Sequence, residues 1–496
     1  MRIGEELISE SVMAEALKAE GTHTRGLMPQ PILLPALLGY ANELAAWALG
    51  QVRSDFDPEP EQVVPVRKTR HAVRPVAELY LRDQLAYRAL VAQMAGYLPA
   101  FSRSATAHEE FERAPLSDGT PGYVLSSDVA AFYQYVDYDL LARELVAQTG
   151  DGGRVDALLA VLTVVTGRRF GLPQQNTASD VVAEAYIDVL ERRLHRADVR
   201  VWRYNDDFRI VTDSWSQALA AVDRLENEAR RIGLTLNDSK TVIRRGETYE
   251  SSLKACDELL KEVGDEAELD LTAVHLGRGY DPDEVDLEQD DVATTALMKL
   301  LDRWAEHEDD ARRSSILTQL MPFTLSHLPA DVEGPTVLAA CMKMLRTEQQ
   351  ALTPAVTGYL LRATDRDEGN VLTAFDDLLA LNPYLTPWQA AWVTPALSRC
   401  EGFASGPGRA GAGGLAAQHL GGRPRRGADA RSGLLGLGRA QGGLGRRAAG
   451  CVRDVQPDEP SRAGRGHWSD RGACQQREGA VGEGQSPAQL VDVRLR

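Results

Sequence analysis

The stretch that most constrains the fold of this chain is RYNDDFRIV, which runs from Arg203 to Val211. Apolar and aromatic residues lie on both sides of its Asn-Asp-Asp centre, which predicts two short strands joined by a tight turn. Two carboxylates then lie at the tip of a hairpin, where like charges repel unless a divalent cation binds between them. Asn and Asp are also common turn formers, so the interpretation depends on the rest of the chain.

The composition is that of a globular protein long enough for two or three domains, with 496 residues, 43% hydrophobic and 26% charged. The first twenty residues are acidic and amphipathic, which does not fit a secretory signal peptide. The most apolar early run, Pro31 to Leu49, is interrupted by Pro35, Gly39 and Glu43, so we predict no membrane-spanning segment. The five scattered cysteines show no metal-ligand spacing, and we expect a reducing, cytoplasmic location.

The net charge of −17 argues against a nucleic-acid partner, but the basic residues are clustered. The clusters before residue 400 are Arg67, Lys68, Arg70 and Arg74; Arg168 and Arg169; Arg192, Arg193 and Arg196; Arg230 and Arg231; and Arg244 and Arg245. Each cluster alone is typical of a solvated surface. If several converge on one cleft, they can contact a phosphate backbone despite the acidic total.

Hydrophobic periodicity predicts strands and helices that alternate around the hairpin. The predicted elements are a helix from Pro75 to Leu98, a strand from Tyr123 to Val129, a helix from Tyr138, a helix within Gly171 to Leu194 capped by Thr177 or Ser179, a helix over residues 216–234 and a strand within residues 234–245. Asp128 falls at the end of its strand, a common position both for a ligand and for a structural turn residue. The order predicts an antiparallel sheet backed by helices, which is an α+β architecture.

Four segments together resemble the motifs of reverse transcriptases. They are SDVAAFY with Asp128, GLPQ from Gly171 to Gln174 followed by Ser179, YNDD from Tyr204 to Asp207, and GLTLNDSKT from Gly233 to Thr241. Each motif alone is a weak signal. Because all four occur in the family's order, over roughly residues 60 to 250, the resemblance is specific.

The resemblance implies a right-hand polymerase fold, with fingers and palm over residues 61–255, that holds two Mg²⁺ ions. The metal ligands it implies are Asp128, Asp206, Asp207 and the Val129 carbonyl, and the catalytic residues are the same three aspartates with Lys240 as general acid for pyrophosphate. The nucleotide-binding residues it implies are Arg67, Lys68 and Arg74 at the triphosphate, Tyr133 as a steric gate against a 2′-hydroxyl, and Pro173 and Gln174 at the nascent base pair.

Two positions depart from the family's pattern. Most of the family has glycine after the glutamine of the second motif, where this chain has Gln175. The variable position of the YNDD hairpin is Asn205, where Ala, Met or Val are commoner. Neither departure removes an implied metal ligand, and both bear on how a template is held.

The regions outside the polymerase motifs differ in character. Residues 1–60 are predicted to be a helical region, and residues 256–290 a strongly acidic connection. Residues 291–400 contain six amphipathic segments that favour an all-α domain, either a HEAT-like α-solenoid or a nonrepetitive helical bundle. Residues 401–496 form a low-complexity Gly/Arg/Ala tail with 22 of the 43 glycines, fifteen arginines and no lysine, which indicates out-of-frame translation or a disordered segment.

Within the family, the bacterial abortive-infection and other phage-defence reverse transcriptases look most similar, from AEAYIDVLERRL, RYNDDFRI and the pair Phe132 and Tyr133. The resemblance implies a nucleotidyltransferase that makes DNA from deoxynucleoside triphosphates, RNA-directed or untemplated, with RNA or DNA as partner. Two alternatives are open: a catalytically idle polymerase fold that binds nucleic acid as a scaffold, and a retroelement reverse transcriptase. Homo-oligomerisation is also open.

Overall fold

The computed structural model describes residues 3–400 except 5, 23–26, 30–33, 55, 68–72, 101, 268–290, 307–310, 331–333, 347–349 and 382–384. The strands are β1 (Gln62–Arg67), β2 (Val73–Glu78), β3 (Tyr123–Asp128), β4 (Val201–Tyr204), β5 (Asp207–Thr212) and β6 (Val242–Arg245). The helices are α1 (Glu10–Thr22), α2 (Leu34–Leu38), α3 (Ala41–Ser54), α4 (Leu81–Ala92), α5 (Ala105–Arg113), α6 (Tyr138–Thr149), α7 (Gly152–Thr166), α8 (Thr177–Arg196), α9 (Trp215–Arg231), α10 (Gly246–Ala267), α11 (Asp291–Ala305), α12 (Ala311–His327), α13 (Gly334–Arg346), α14 (Thr353–Thr364), α15 (Glu368–Ala380) and α16 (Pro387–Arg399).

The central element is a four-stranded sheet in the order β4-β5-β3-β6, in which every neighbouring pair is antiparallel. The predicted antiparallel sheet is therefore confirmed. The register places Asp128 opposite Asp207, so the end of β3 lies beside the start of β5. Opposite residues on antiparallel strands project from the same face of a sheet. Asp128 and Asp207 therefore share one face, at the end of the sheet where the β4–β5 turn lies.

The two faces of the sheet are covered differently. Leu125, Phe208 and Ile210 belong to the large core that the sheet shares with the helices α4, α6, α7, α8 and α9. On the opposite face, Val124 and Val211 pack with Tyr249 of α10. Tyr249 covers the part of this face that is remote from Asp128 and Asp207, because Val124 and Val211 pair with each other four residues away along the strands.

Helix α8 begins one residue earlier than the predicted caps allow. Asn176 adopts an extended conformation, and its side chain accepts a hydrogen bond from the backbone N–H of Ala178 at 3.0 Å, so Asn176 is the N-cap. Ser179 instead lies buried against Tyr87 of α4, with 2.9 Å between the two hydroxyl oxygens. The capping prediction of Thr177 or Ser179 was wrong because the tertiary contact with α4 places Ser179 inside the helix.

The predicted helix from Pro75 to Leu98 was also wrong in its first part. Residues 73–78 form β2, which pairs with β1 so that Pro65 lies opposite Pro75, and α4 begins only at Leu81. Proline has no N–H to donate, which is tolerated in a two-stranded hairpin and costs a hydrogen bond inside a helix. The hairpin is further fixed by contact with α16, where Val66 and Val76 pack on Trp388.

All six segments predicted to be helical in residues 291–400 form helices, α11 to α16, around a core of their own. The assignment of these helices to the HEAT type stays a prediction, as do the domain boundaries. Helix α10 continues to Ala267, across the predicted boundary at residue 255. Residues 268–290 of the predicted acidic connection, and the whole tail from residue 401, lie outside the described residues. Among the described helices, none has the length and apolar character needed to cross a membrane.

Candidate active site

Three carboxylates meet at one end of the sheet. One oxygen from each of Asp128, Asp206 and Asp207 lies within 4.8 Å of the others, with Asp128 buried and the other two half-buried. Asp128 and Asp206 are 78 positions apart in the sequence, and the β3–β5 register brings them together. The structure thus places all three predicted acidic residues in one cluster.

The β4–β5 turn is fixed by its backbone. Asn205 adopts a φ of 53°, in the left-handed region that Asn tolerates better than most residues. The predicted two-strand hairpin with a tight turn is confirmed. The N–H of Val129 donates to the Asp206 carbonyl at 3.0 Å, so the backbone after Asp128 is tied to the turn. This bond places Val129, the fourth implied ligand, directly beside the carboxylate cluster.

The charges of this cluster are destabilised by their surroundings. Burial, followed by the negative charges of Asp128 and Asp207, raises the pKa of Asp206 to about 6 from an ordinary value of 3.8. Burial and the charge of Asp128 also raise the pKa of Asp207. Carboxylates held together against their mutual repulsion are a common arrangement at functional sites, where a bound cation offsets the repulsion.

Asp128 carries hydrogen bonds on both carboxylate oxygens. The ammonium of Lys240 donates to Oδ1 at 2.7 Å, and the side-chain amide of Asn237 donates to Oδ2 at 3.0 Å. The backbone N–H of Asn237 also donates to the Asp128 carbonyl at 2.7 Å. The sequence singled out Lys240 but missed Asn237, although both lie in the quoted motif GLTLNDSKT.

The donor set fits a hard divalent cation. All three side chains offer carboxylate oxygens, which suit Mg²⁺ and similar ions, and the turn leaves Asp206 and Asp207 on adjacent positions. A cation that binds Oδ1 of Asp128 either shares that oxygen with the ammonium of Lys240 or displaces it. Lys240 is itself about half exposed and has room to move, because 44% of its side chain is accessible.

The second motif lies beside the segment that follows β3. The N–H of Leu172 donates to the carbonyl of Tyr133 at 2.7 Å, and Gly171 adopts a φ of 88°, which favours glycine. A Cβ at Gly171 would lie 3.2 Å from the carbonyl oxygen of Gln134. Glycine therefore allows these two segments to approach closely.

Within the same loop, Pro173 is buried and Gln174 is half-buried. Gln175 adopts a φ of 61°, again in the left-handed region. Glycine adopts this conformation without steric cost, whereas Gln175 adopts it at some cost in strain.

Two of the predicted triphosphate cations lie on the strands β1 and β2. Arg67 ends β1, and Arg74 in β2 pairs with Val66 and is half-buried. Lys68 lies outside the described residues. Within the described chain, no hydrogen bond or ion pair joins Arg74 to the carboxylate cluster, so the structure brings together the aspartates and Lys240 but not Arg74.

Many of the other basic residues are paired with neighbouring acids. The pairs are Arg169 with Asp139, Arg192 with Glu144 and Asp188, Arg193 and Arg231 with Glu228, and Arg230 with Glu226. Their positive charge is therefore partly neutralised. These pairs weaken the case for one continuous basic cleft built from those clusters.

The fold and the site define an antiparallel, helix-backed sheet that presents a carboxylate cluster at a hairpin turn. The family model described as reverse transcriptase (RNA-dependent DNA polymerase) matches residues 66–267, which include every one of these site residues. The match covers less than half of the chain and supports a reverse transcriptase family for this segment. No curated protein matches the chain in sequence.

Solved structures that are similar to this chain include three yeast telomerase structures. Telomerase from Candida tropicalis in complex with a TWJ fragment of telomeric RNA shares 10% identity over 75% of this chain and 67% of that chain, with a TM-score of 0.29. The corresponding complex from Candida albicans shares 10% identity over 70% and 64%, with a TM-score of 0.28. Apo telomerase from Candida tropicalis shares 11% identity over 78% and 71%, with a TM-score of 0.30. Scores this low support no conclusion about function.

Proposed function

We propose that this protein is a metal-dependent DNA polymerase of the reverse transcriptase class. It adds deoxynucleotides to a 3′-hydroxyl and releases pyrophosphate. The observation that carries the proposal is the cluster of Asp128, Asp206, Asp207 and Lys240, because it lies within the segment that matches the reverse transcriptase model. The proposal makes the protein a nucleotidyltransferase.

In this reaction the primer hydroxyl oxygen attacks the α-phosphorus, and the bond from that phosphorus to the bridging oxygen of the β-phosphate breaks. Asp128, Asp206 and Asp207 would hold Mg²⁺, assisted by the Val129 carbonyl. Bound divalent cations supply Lewis acidity that favours the hydroxyl's deprotonation and offsets charge on the departing pyrophosphate.

Lys240 is proposed to donate a proton to the pyrophosphate oxygen. Its ammonium is 2.7 Å from Asp128 and partly exposed, so it is close to the reacting groups and free to turn towards a leaving group. Asn237 is proposed to orient Asp128 through its two hydrogen bonds, which leave the carboxylate a fixed direction.

The remaining predicted residues are proposed to bind the incoming nucleotide. Pro173 and Gln174 would line the nascent base pair. Tyr133 would exclude a 2′-hydroxyl. Arg67, Lys68 and Arg74 would contact the triphosphate, which requires the β1–β2 hairpin to approach the carboxylate cluster when a nucleotide binds. The polymer partner is proposed to be RNA, DNA or both.

The test is incorporation of labelled deoxynucleotides by purified protein in Mg²⁺, with and without an RNA template and its primer. We expect product from the wild type and none from Asp206→Asn or Asp207→Asn. Asp223→Asn is the matched control, because Asp223 is an exposed carboxylate on α9 and its loss is expected to leave the product unchanged.

The pattern of products separates the mechanisms. Product that depends on the RNA strand supports RNA-directed synthesis, and product without any template supports untemplated synthesis. If folded wild-type protein gives no product with either, the polymerase proposal is wrong and the idle scaffold takes its place.

We further propose a biological role in bacterial defence against phage. The support is the sequence resemblance to defence-associated reverse transcriptases, together with a helical region that follows the polymerase segment. Phage plating on cells that express the wild type should fall, whereas plating on cells that express Asp206→Asn should match that of the empty vector. Equal protection by both proteins would show that polymerase chemistry is not the basis of defence.

A further inference from the structure

The hydroxyl of Tyr133 lies in a hydrogen-bond network that the sequence did not predict. It donates to Oδ1 of Asp180 at 2.6 Å and accepts a hydrogen bond from the guanidinium of Arg103. Arg103 also forms an ion pair with Asp180 at 3.1 Å, and its guanidinium carbon lies 5.8 Å from the centre of the Tyr133 ring. Three side chains therefore form a closed triangle of contacts.

These three residues come from different parts of the chain. Tyr133 lies on a short 3₁₀ helix after β3, Asp180 in the first turn of α8 after the second motif, and Arg103 just before α5. The backbone of Tyr133 is separately held by the N–H of Leu172 at 2.7 Å. The tyrosine is thus fixed at both ends, at its carbonyl by the second motif and at its hydroxyl by Arg103 and Asp180.

We propose that Arg103 and Asp180 are positioning residues that hold the Tyr133 ring in place and thereby set the preference for deoxynucleotides over ribonucleotides. The inference rests on the proposed polymerase function. A side chain excludes one extra oxygen atom only if it cannot shift aside, since a movement of about 1 Å is enough to change how a ligand fits.

The electrostatics of the network support this role. Burial and the charge of Asp180 raise the pKa of Tyr133 well above its ordinary value, so the phenol keeps its proton and remains a donor. Arg103 compensates the charge of Asp180, whose side chain is only 15% exposed. Removing Arg103 takes the ion pair from the partly buried charge of Asp180, and removing Asp180 takes away the acceptor that holds the end of the ring.

The test is the ratio of kcat/KM for a deoxynucleotide to kcat/KM for the matching ribonucleotide. We expect Asp180→Ala and Arg103→Ala each to lower this ratio by about ten-fold, within the range of coupling seen between residues in contact. Asp188→Ala is the matched control, because it breaks an ion pair with Arg192 on the same helix and should leave the ratio unchanged.

A double-mutant cycle with Tyr133→Phe separates positioning from a general effect on the fold. Because the partners act through the hydroxyl, Asp180→Ala should lower the ratio no further in the Tyr133→Phe background. If Asp180→Ala fails to fold, Asp180→Asn takes its place, since it keeps the shape but loses the charge that holds Arg103.

The outcomes distinguish the two levels of the proposal. A wild type that incorporates no nucleotide overturns the polymerase function and this inference with it. An active wild type whose ratio is unchanged by the Arg103 and Asp180 variants overturns only the inference. The same holds if Asp180→Ala lowers the ratio equally in both backgrounds, or lowers both rates together with an unchanged ratio.

Discussion

Replacing Asp206 by Asn is expected to stabilise the metal-free protein while removing nucleotide incorporation. The folded protein holds the Asp206 carboxyl at a pKa of about 6, against an ordinary value of 3.8. That difference corresponds to about 3 kcal/mol by which folding disfavours the charged form. Because Asp206 is half-buried and water screens part of the repulsion, we expect Asn to raise the free energy of unfolding by about 1–2 kcal/mol at pH 8.

The size of this effect depends on pH. The folded protein holds the proton more tightly than the unfolded chain, so the wild type loses no stability from Asp206 below about pH 4, its unfolded pKa. The loss develops as pH rises and is complete above the folded pKa of about 6. Because pH 5 lies between these two pKa values, about half of the advantage of Asn should be present at pH 5 and all of it at pH 8.

The assay is thermal or urea unfolding in EDTA at pH 5 and pH 8, with Asp223→Asn as the exposed-carboxylate control. Adding Mg²⁺ at pH 8 should stabilise the wild type and have little effect on the Asp206 variant, since a bound ion offsets the repulsion and adds its binding energy. Equal stability of the variant and the wild type in EDTA at pH 8 would refute the reasoning. So would an advantage of Asn that does not change between pH 5 and pH 8.

Three further predictions concern Lys240, Trp388 and Gln175. Lys240→Met should lower kcat by about 100-fold with little change in KM. Lys240→Arg should keep the charge beside Asp128 without restoring the rate, because a guanidinium donates a proton poorly. Full activity of the Arg variant in steady-state kinetics would exclude the general-acid role. Trp388→Ala should lower the free energy of unfolding by about 3 kcal/mol, because Trp388 is fully buried against the β1–β2 hairpin. Trp392→Ala should lower the free energy of unfolding by less, because Trp392 is half-exposed. Equal losses for the two variants in thermal unfolding would contradict this packing. Gln175→Gly should be at least as stable as the wild type. Gln175→Val should lower the free energy of unfolding by about 1–2 kcal/mol, because a β-branched residue fits a φ of 61° poorly. A Val variant as stable as the wild type in urea unfolding would show that this backbone conformation is not strained.

The features that the sequence predicted correctly depend on short-range patterns. The RYNDDFRIV stretch specifies its own hairpin, because the alternating apolar residues and the Asn-Asp turn act over only a few positions. The six helices from α11 to α16 follow from hydrophobic spacing within each segment. The four motifs indicated Asp128, Asp206, Asp207 and Lys240 as one set, and their resemblance to a family supplied the reason to group them.

The features that the sequence missed depend on contacts between distant segments. The helix predicted from Pro75 is a strand at its start because β2 pairs with β1 and packs on Trp388, whose indole N–H also bonds to the Leu27 carbonyl 361 positions away. The network of Arg103, Tyr133 and Asp180 has no local signal, since none of the three lies within a turn of another.

The sequence by itself determined the hairpin turn, the helical segments and the residue types of the carboxylate cluster. Only the tertiary structure decided that Asp128 meets Asp206 and Asp207, that Asn237 and Lys240 bond to Asp128, and which cations are paired with acids instead of being available to a polymer. The physical reason lies in the distances along the chain. Neighbours a few residues apart set hydrogen-bonded turns and helical faces. The packing of whole elements sets strand register, and it also brings together side chains 30 to 361 positions apart.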